Sequence, residues 1–142
     1  MPYREKVAWL SLLALLCSFG PYFTLVATGF FPVKPLPDFF QLLCYGITAL
    51  VQLTILAVGH LLLRRINRQE ARLAEDERYI QMRQRATGLA YGVLMTGIIL
   101  TGVIMPFYTG GWQIVNSSLF MIVLAQLLFY VSLVLQYRRQ SA

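Results

Sequence analysis

The residues able to do chemistry in this chain are few and scattered. There is one histidine, His60, and there are two cysteines, Cys17 and Cys44. A haem held between two imidazoles would need a second histidine from another copy of the chain. Zinc would need several more ligands than one chain offers. The cysteines form no CxxC pair, so the dithiol relay that such a motif supports is absent. Both are expected as small buried residues, Cys17 mid-span and Cys44 nearer one surface. The six acids are Glu5, Asp38, Glu70, Glu75, Asp76 and Glu77, and all lie outside the apolar runs. Enzymes and ion-coupled carriers keep ionisable groups within their spans, because burying them is costly unless they work. There is no phosphate-binding glycine loop and no paired-carboxylate motif. The expectation is a non-enzyme with no catalytic residue, no metal and no cofactor.

What remains is a set of neutral polar groups inside apolar runs: Gln41, Gln52, Gln126, Thr24, Thr48, Thr54 and Ser132. Gln52 and Gln126 fall near mid-depth, where a hydrogen bond between helices contributes ~0.6–2 kcal/mol. Pro21, after Gly20, lacks an N–H and crowds the carbonyl of Cys17, so a kink is expected in the first helix. Pro21, Gln52, His60 and Gln126 are the candidate lining of an intramembrane polar pocket. Such a pocket would suit a small transporter or a lipid- or quinone-binding protein. Helix-to-helix bonding by the same amides is the plainer alternative.

These groups must be positioned by membrane helices. Of 142 residues, 58% are hydrophobic and 13% charged, and the mean hydropathy is +0.63, which excludes a soluble globular domain and a disordered chain. Four nearly uncharged runs, 7–31, 39–63, 86–108 and 114–136, each span 23 to 25 residues. About 20 helical residues cross the ~30 Å hydrocarbon core, and no run shows the alternation of a barrel strand. The prediction is a single all-α domain, an integral-membrane four-helix bundle of two antiparallel hairpins. The first run is too long for a signal-peptide core and is expected to stay as a helix.

Eleven of the 12 Lys and Arg residues lie at the termini or in the central loop, and Lys34 alone lies elsewhere. By the positive-inside rule both termini and that loop are expected in the cytoplasm. The net charge of +6 then reflects topology and attraction to anionic lipid headgroups rather than to nucleic acid. Phe30, Phe31, Phe39, Phe40, Tyr108 and Trp112 suit an interfacial belt on the far side, and Tyr3, Trp9 and Tyr137 on the near side.

The central loop, 64–85, has no proline or glycine and is rich in helix formers. Helices 2 and 3 should extend into it, reversing near Ala74–Asp76, with Asp76 as N-cap and Glu77 in the first turn of helix 3. Ile66, Leu73 and Ile80 are expected to pack across this hairpin. Arg64, Arg65, Asp76, Glu77, Arg78 and Arg83 are the candidate contacts for a partner protein or for lipid headgroups. The run Asp76-Glu77-Arg78-Tyr79-Ile80-Gln81-Met82-Arg83-Gln84-Arg85-Ala86 resembles the cytoplasmic loop of small prokaryotic four-helix membrane proteins of uncharacterised function. That loop reads D-E-R-x-x-x-I-x-x-[RK]-[AS]; here the isoleucine falls early, at Ile80 directly after Arg78-Tyr79. The resemblance covers about a dozen residues and the helix layout. It implies a prokaryotic inner-membrane location and no activity.

Gly88, Gly92 and Thr96 recur every four residues on helix 3, a spacing that lets another helix approach closely. Packing within the bundle and a homo-oligomer interface are the two uses open to them. The functional expectation is a membrane protein that works by helix association or by binding a membrane partner.

Overall fold

In hydrocarbon, a backbone can satisfy its N–H and C=O groups within one segment only by coiling into a helix. A computed structural model of the chain describes residues 3–31, 38–66 and 77–141 and has four such helices. They are α1 (Tyr3–Ala27), α2 (Phe39–Ile66), α3 (Glu77–Ile99) and α4 (Gly111–Ser141). α3 continues through a wide π turn, Leu100–Ile104, and a tight 3-10 turn, Met105–Phe107. All four are long and apolar enough to cross a membrane. The protein is an all-α, multi-pass four-helix bundle.

The helix ends differ from the limits of the apolar runs, for local reasons. α1 stops at Ala27, not Phe31, because Gly29 takes the left-handed conformation at φ 71°. Its N–H then bonds Val26 O at 3.2 Å while the Phe30 N–H bonds Leu25 O at 3.1 Å, a Schellman closure. α3 cannot stay regular to Tyr108, because Pro106 has no N–H and its ring crowds the carbonyl four residues back, that of Gly102. The helix widens ahead of it, and the Met105 N–H reaches Leu100 O. At the other end α3 begins at Glu77, well before its apolar run. The proposed reversal at 74–76, the Asp76 cap and Leu73 lie outside the described residues.

The helices pack as a row in which α2 lies on α1, α1 on α4, and α4 on α3. The hairpins α1–α2 and α3–α4 are therefore joined through α1 and α4. α1 can be central because Ala8, Ser11, Ala14 and Ser18 are all buried and all small. The two serine hydroxyls donate back to their own helix, Ser11 Oγ to Val7 O at 3.0 Å and Ser18 Oγ to Ala14 O at 2.7 Å. Leu15, Phe19 and Tyr22 of α1 pack with Leu119 and Val123 of α4. Nearer the termini, Ala8 meets Met82 and Ala86 of α3 and Leu133 and Val134 of α4.

Three expectations are corrected here. Ile66 and Ile80 do not pack across a hairpin: they are 76% and 40% exposed, and α2 does not pack on α3. Cys17 is exposed on the outer face of α1 rather than buried, whereas Cys44 is half-buried. Of the two uses weighed for the small stripe on α3, packing within the chain is not what the structure has. A Cβ added at Gly88 or Gly92 would meet nothing within 4 Å, and Thr96 is exposed.

Close approach on α3 is made at Gly97 instead, where an added Cβ would lie 2.7 Å from Met121 Cβ on α4. That atom is tied to the backbone and cannot swing aside, and overpacking of this kind costs about 1–3 kcal/mol. Gly97→Val should destabilise the bundle by that amount in thermal unfolding of the monomer in detergent, whereas Gly88→Val should leave the monomer's midpoint unchanged.

Candidate functional site

The four residues expected to share a polar pocket are not brought together. Gln52 turns toward α1, where the single Ser18 hydroxyl proton is shared between Ala14 O and Gln52 Oε1. Pro21 and His60 are exposed on α1 and α2. Gln126 is turned toward α3, at a cleft of about 330 Å³ between α3 and α4 beside Thr87, Tyr91 and Tyr130. Depth brought Gln52 and Gln126 level, but their directions around the helix axes diverge. The Gln52 amide links α2 to α1. Among the described residues, no three His, Cys, Asp or Glu side chains come together as a metal site requires.

The basic residues are dispersed. Arg64 and Arg65 are exposed in the last turn of α2, and Glu77 and Arg83 are exposed near the start of α3. Asp76 and the side chain of Arg78 lie outside the described residues. The ordered feature at this end is a set of ring contacts. The Arg4 guanidinium lies 3.7 Å from the centre of the Tyr79 ring, and Tyr79 stacks on Tyr137 at 6.5 Å. Arg138 lies over Trp9 at 5.6 Å. Beneath them the Gln136 amide donates to Ser132 Oγ at 3.0 Å. These contacts put the N-terminus, the start of α3 and the end of α4 at one end of the bundle. Trp9 and Tyr137 were legible as interfacial aromatics; Arg138 over Trp9, and Tyr79 between Arg4 and Tyr137, were not.

The opposite end holds the largest departure from expectation. α2 and α4 both pack on α1 and do not pack closely on each other, which leaves a wedge between them. Near the loops that wedge is a cavity of about 480 Å³, within the range of small-molecule sites. Tyr22 of α1 lines it, with Asp38, Leu42 and Tyr45 at the start of α2 and Trp112, Ser118 and Leu119 of α4. The Tyr22 hydroxyl donates to Asn116 Oδ1 at 2.9 Å and so pins α1 to α4 at its base. Asp38, only 7% exposed, caps α2: its Oδ1 accepts the Phe40 N–H at 3.1 Å. Trp112 Nε1 is buried and has no acceptor among the described residues, an arrangement that ordinarily costs about 1–3 kcal/mol. Sequence reasoning had set Asp38 aside as an acid outside the spans and counted Trp112 as a belt residue. Asp38 directly ahead of a helical run, facing an asparagine-bearing fourth helix, was the available signal.

The remaining surface of interest is the outward face of α3. Met82, Ala86, Gly97 and Thr101 are buried toward α4. Gly88 follows Ala86 by two positions, about 200° around a helix of 3.6 residues per turn, and Gly92 and Thr96 continue its line. A shallow groove on α3, beside Arg83, Gln84, Gly88 and Tyr91, runs into this face.

Set against known protein families, curated proteins and solved structures, the chain matches none of them.

The Ser18–Gln52 bond is the clearest polar link between spans. A double-mutant cycle of Ser18→Ala and Gln52→Leu should return a coupling of about 0.6–2 kcal/mol, read from unfolding in mixed detergent micelles. The Arg4–Tyr79 contact should give about 0.5–1 kcal/mol in the same assay with Arg4→Met and Tyr79→Leu.

Proposed function

We propose that the chain is a non-enzymatic multi-pass protein of a prokaryotic inner membrane that acts through helix-to-helix association. α3 is its contact helix. The observation that carries this reading is the placement of Gly88 and Gly92, which face away from α4 with open space beside them, with Thr96 exposed further along on the flank of the helix. Lipid tails gain nothing from glycine on a helix face, whereas a second helix gains close backbone contact there. Gly59 and Gly97 are used in that way inside the bundle, against Leu10 and Met121. The partner is a second copy of the chain, with both termini and residues 64–85 in the cytoplasm by the charge bias. On that side the exposed Arg64, Arg65 and Arg83 contact anionic headgroups or a docking protein.

Light scattering of the protein in mild detergent tests this. The wild type should run as a defined oligomer. Gly92→Leu should run as a monomer with unchanged helicity, because nothing inside the chain occupies that space. A wild type that stays monomeric across concentration overturns the reading.

A further inference from the structure

Beyond helix association, we propose that the wedge between α2 and α4 is a binding site for one phospholipid whose headgroup carries a primary ammonium beside its phosphate. Two groups at the polar end of the cavity lack what they need, and their needs are opposite. Asp38 is a carboxylate only 7% exposed that lines the cavity, and with Oδ1 engaged by the Phe40 N–H its second oxygen is open to a further donor there. An ionised carboxylate accepts several hydrogen bonds and, out of water, calls for a cation. Trp112 Nε1–H is a donor without an acceptor among the described residues. A headgroup of ammonium next to phosphate answers both, with the ammonium donating to Asp38 and a phosphate oxygen accepting from Trp112.

The rest of the cavity suits the tail of such a molecule. Leu42, Val115, Leu119 and Ile122 make an apolar wall leading away from Asp38 and Trp112. Because α2 and α4 do not close on each other, the wedge is open along its side, where an acyl chain can enter from the bilayer without leaving hydrocarbon. The polar end lies at the level where α2 and α4 begin, Phe39 and Gly111, which is the depth of a headgroup. A free amine lacking a phosphate would leave Trp112 unanswered, and a phosphate lipid lacking an amine would oppose Asp38.

The test is native mass spectrometry of the full-length protein in mild detergent, titrated with phosphatidylethanolamine, phosphatidylglycerol or a long-chain alkylamine. The wild type should retain one phosphatidylethanolamine and hold phosphatidylglycerol about tenfold less. Asp38→Asn keeps the helix cap, since asparagine caps as well as aspartate, yet should erase that preference. Trp112→Phe keeps the ring and should weaken phosphatidylethanolamine while leaving the alkylamine unchanged. Thermal unfolding of each variant in the same detergent identifies any that have merely lost the fold, and Ser118→Leu, which fills the cavity, provides an independent block. Equal retention of the two phospholipids by the wild type, or a preference that survives Asp38→Asn in a folded protein, overturns the proposal. So does an alkylamine that binds as tightly as the lipid.

Discussion

Two helices in hydrocarbon gain little by hiding apolar side chains, because the surroundings are just as apolar. What holds them is the area over which their surfaces touch, and that grows as side chains shrink. α1 meets this constraint with Ala8, Ser11, Ala14 and Ser18, buried along its length. Its serines are admissible at that depth because each hydroxyl is already satisfied by its own backbone. The neighbours follow from this helix. α2 has Gln41 as its one buried residue, among the described residues, and its hold on the bundle is its contact with α1, through Ser18–Gln52 and Gly59 against Leu10. α4 takes the other side through Leu119 and Val123, and α3 joins mainly by way of α4.

The four crossings were readable from charge-free length, because that property alone decides whether a segment can enter a bilayer. Where they end was less readable. Hydropathy carries on through Phe30 and Phe31, whereas the backbone turns at Gly29, and nothing in the apolar average registers a left-handed residue. The order of packing was not readable at all from hydropathy. Both α1 and α3 carry small residues at helical spacing. The glycines of α3 drew attention while the alanines and serines of α1 passed as ordinary members of a leucine-rich run. Phase would have separated them: Gly88 is two positions from the buried Ala86, which puts it on the far side.

The candidate site shows a related limit. Gln52 and Gln126 were matched by depth, a one-dimensional coordinate, but the rotation of each helix sends them to different partners. Tyr22, Asp38 and Trp112 meet at the wedge although they come from three elements and no motif connects them. Their meeting depends on α2 and α4 both leaning on α1 without packing closely on each other. Such a gap is a property of the assembly and is invisible in any one segment.

The widened turn before Pro106 also fixes how deep the protein lies. Between Arg85 and Pro106 are residues 86–105, about 30 Å of helix at ~1.5 Å per residue, which equals the ~30 Å of a typical hydrocarbon layer. α3 therefore fits the layer standing upright. The charge-free part of α2, 39–63, is about 37 Å by the same rise and must lean or protrude. Hydrophobic mismatch consequently falls on α3 first. In a thicker bilayer Arg85 and the freed carbonyls near Pro106 are drawn inward, while α2 has only to straighten. α3 is the span with the least length to spare.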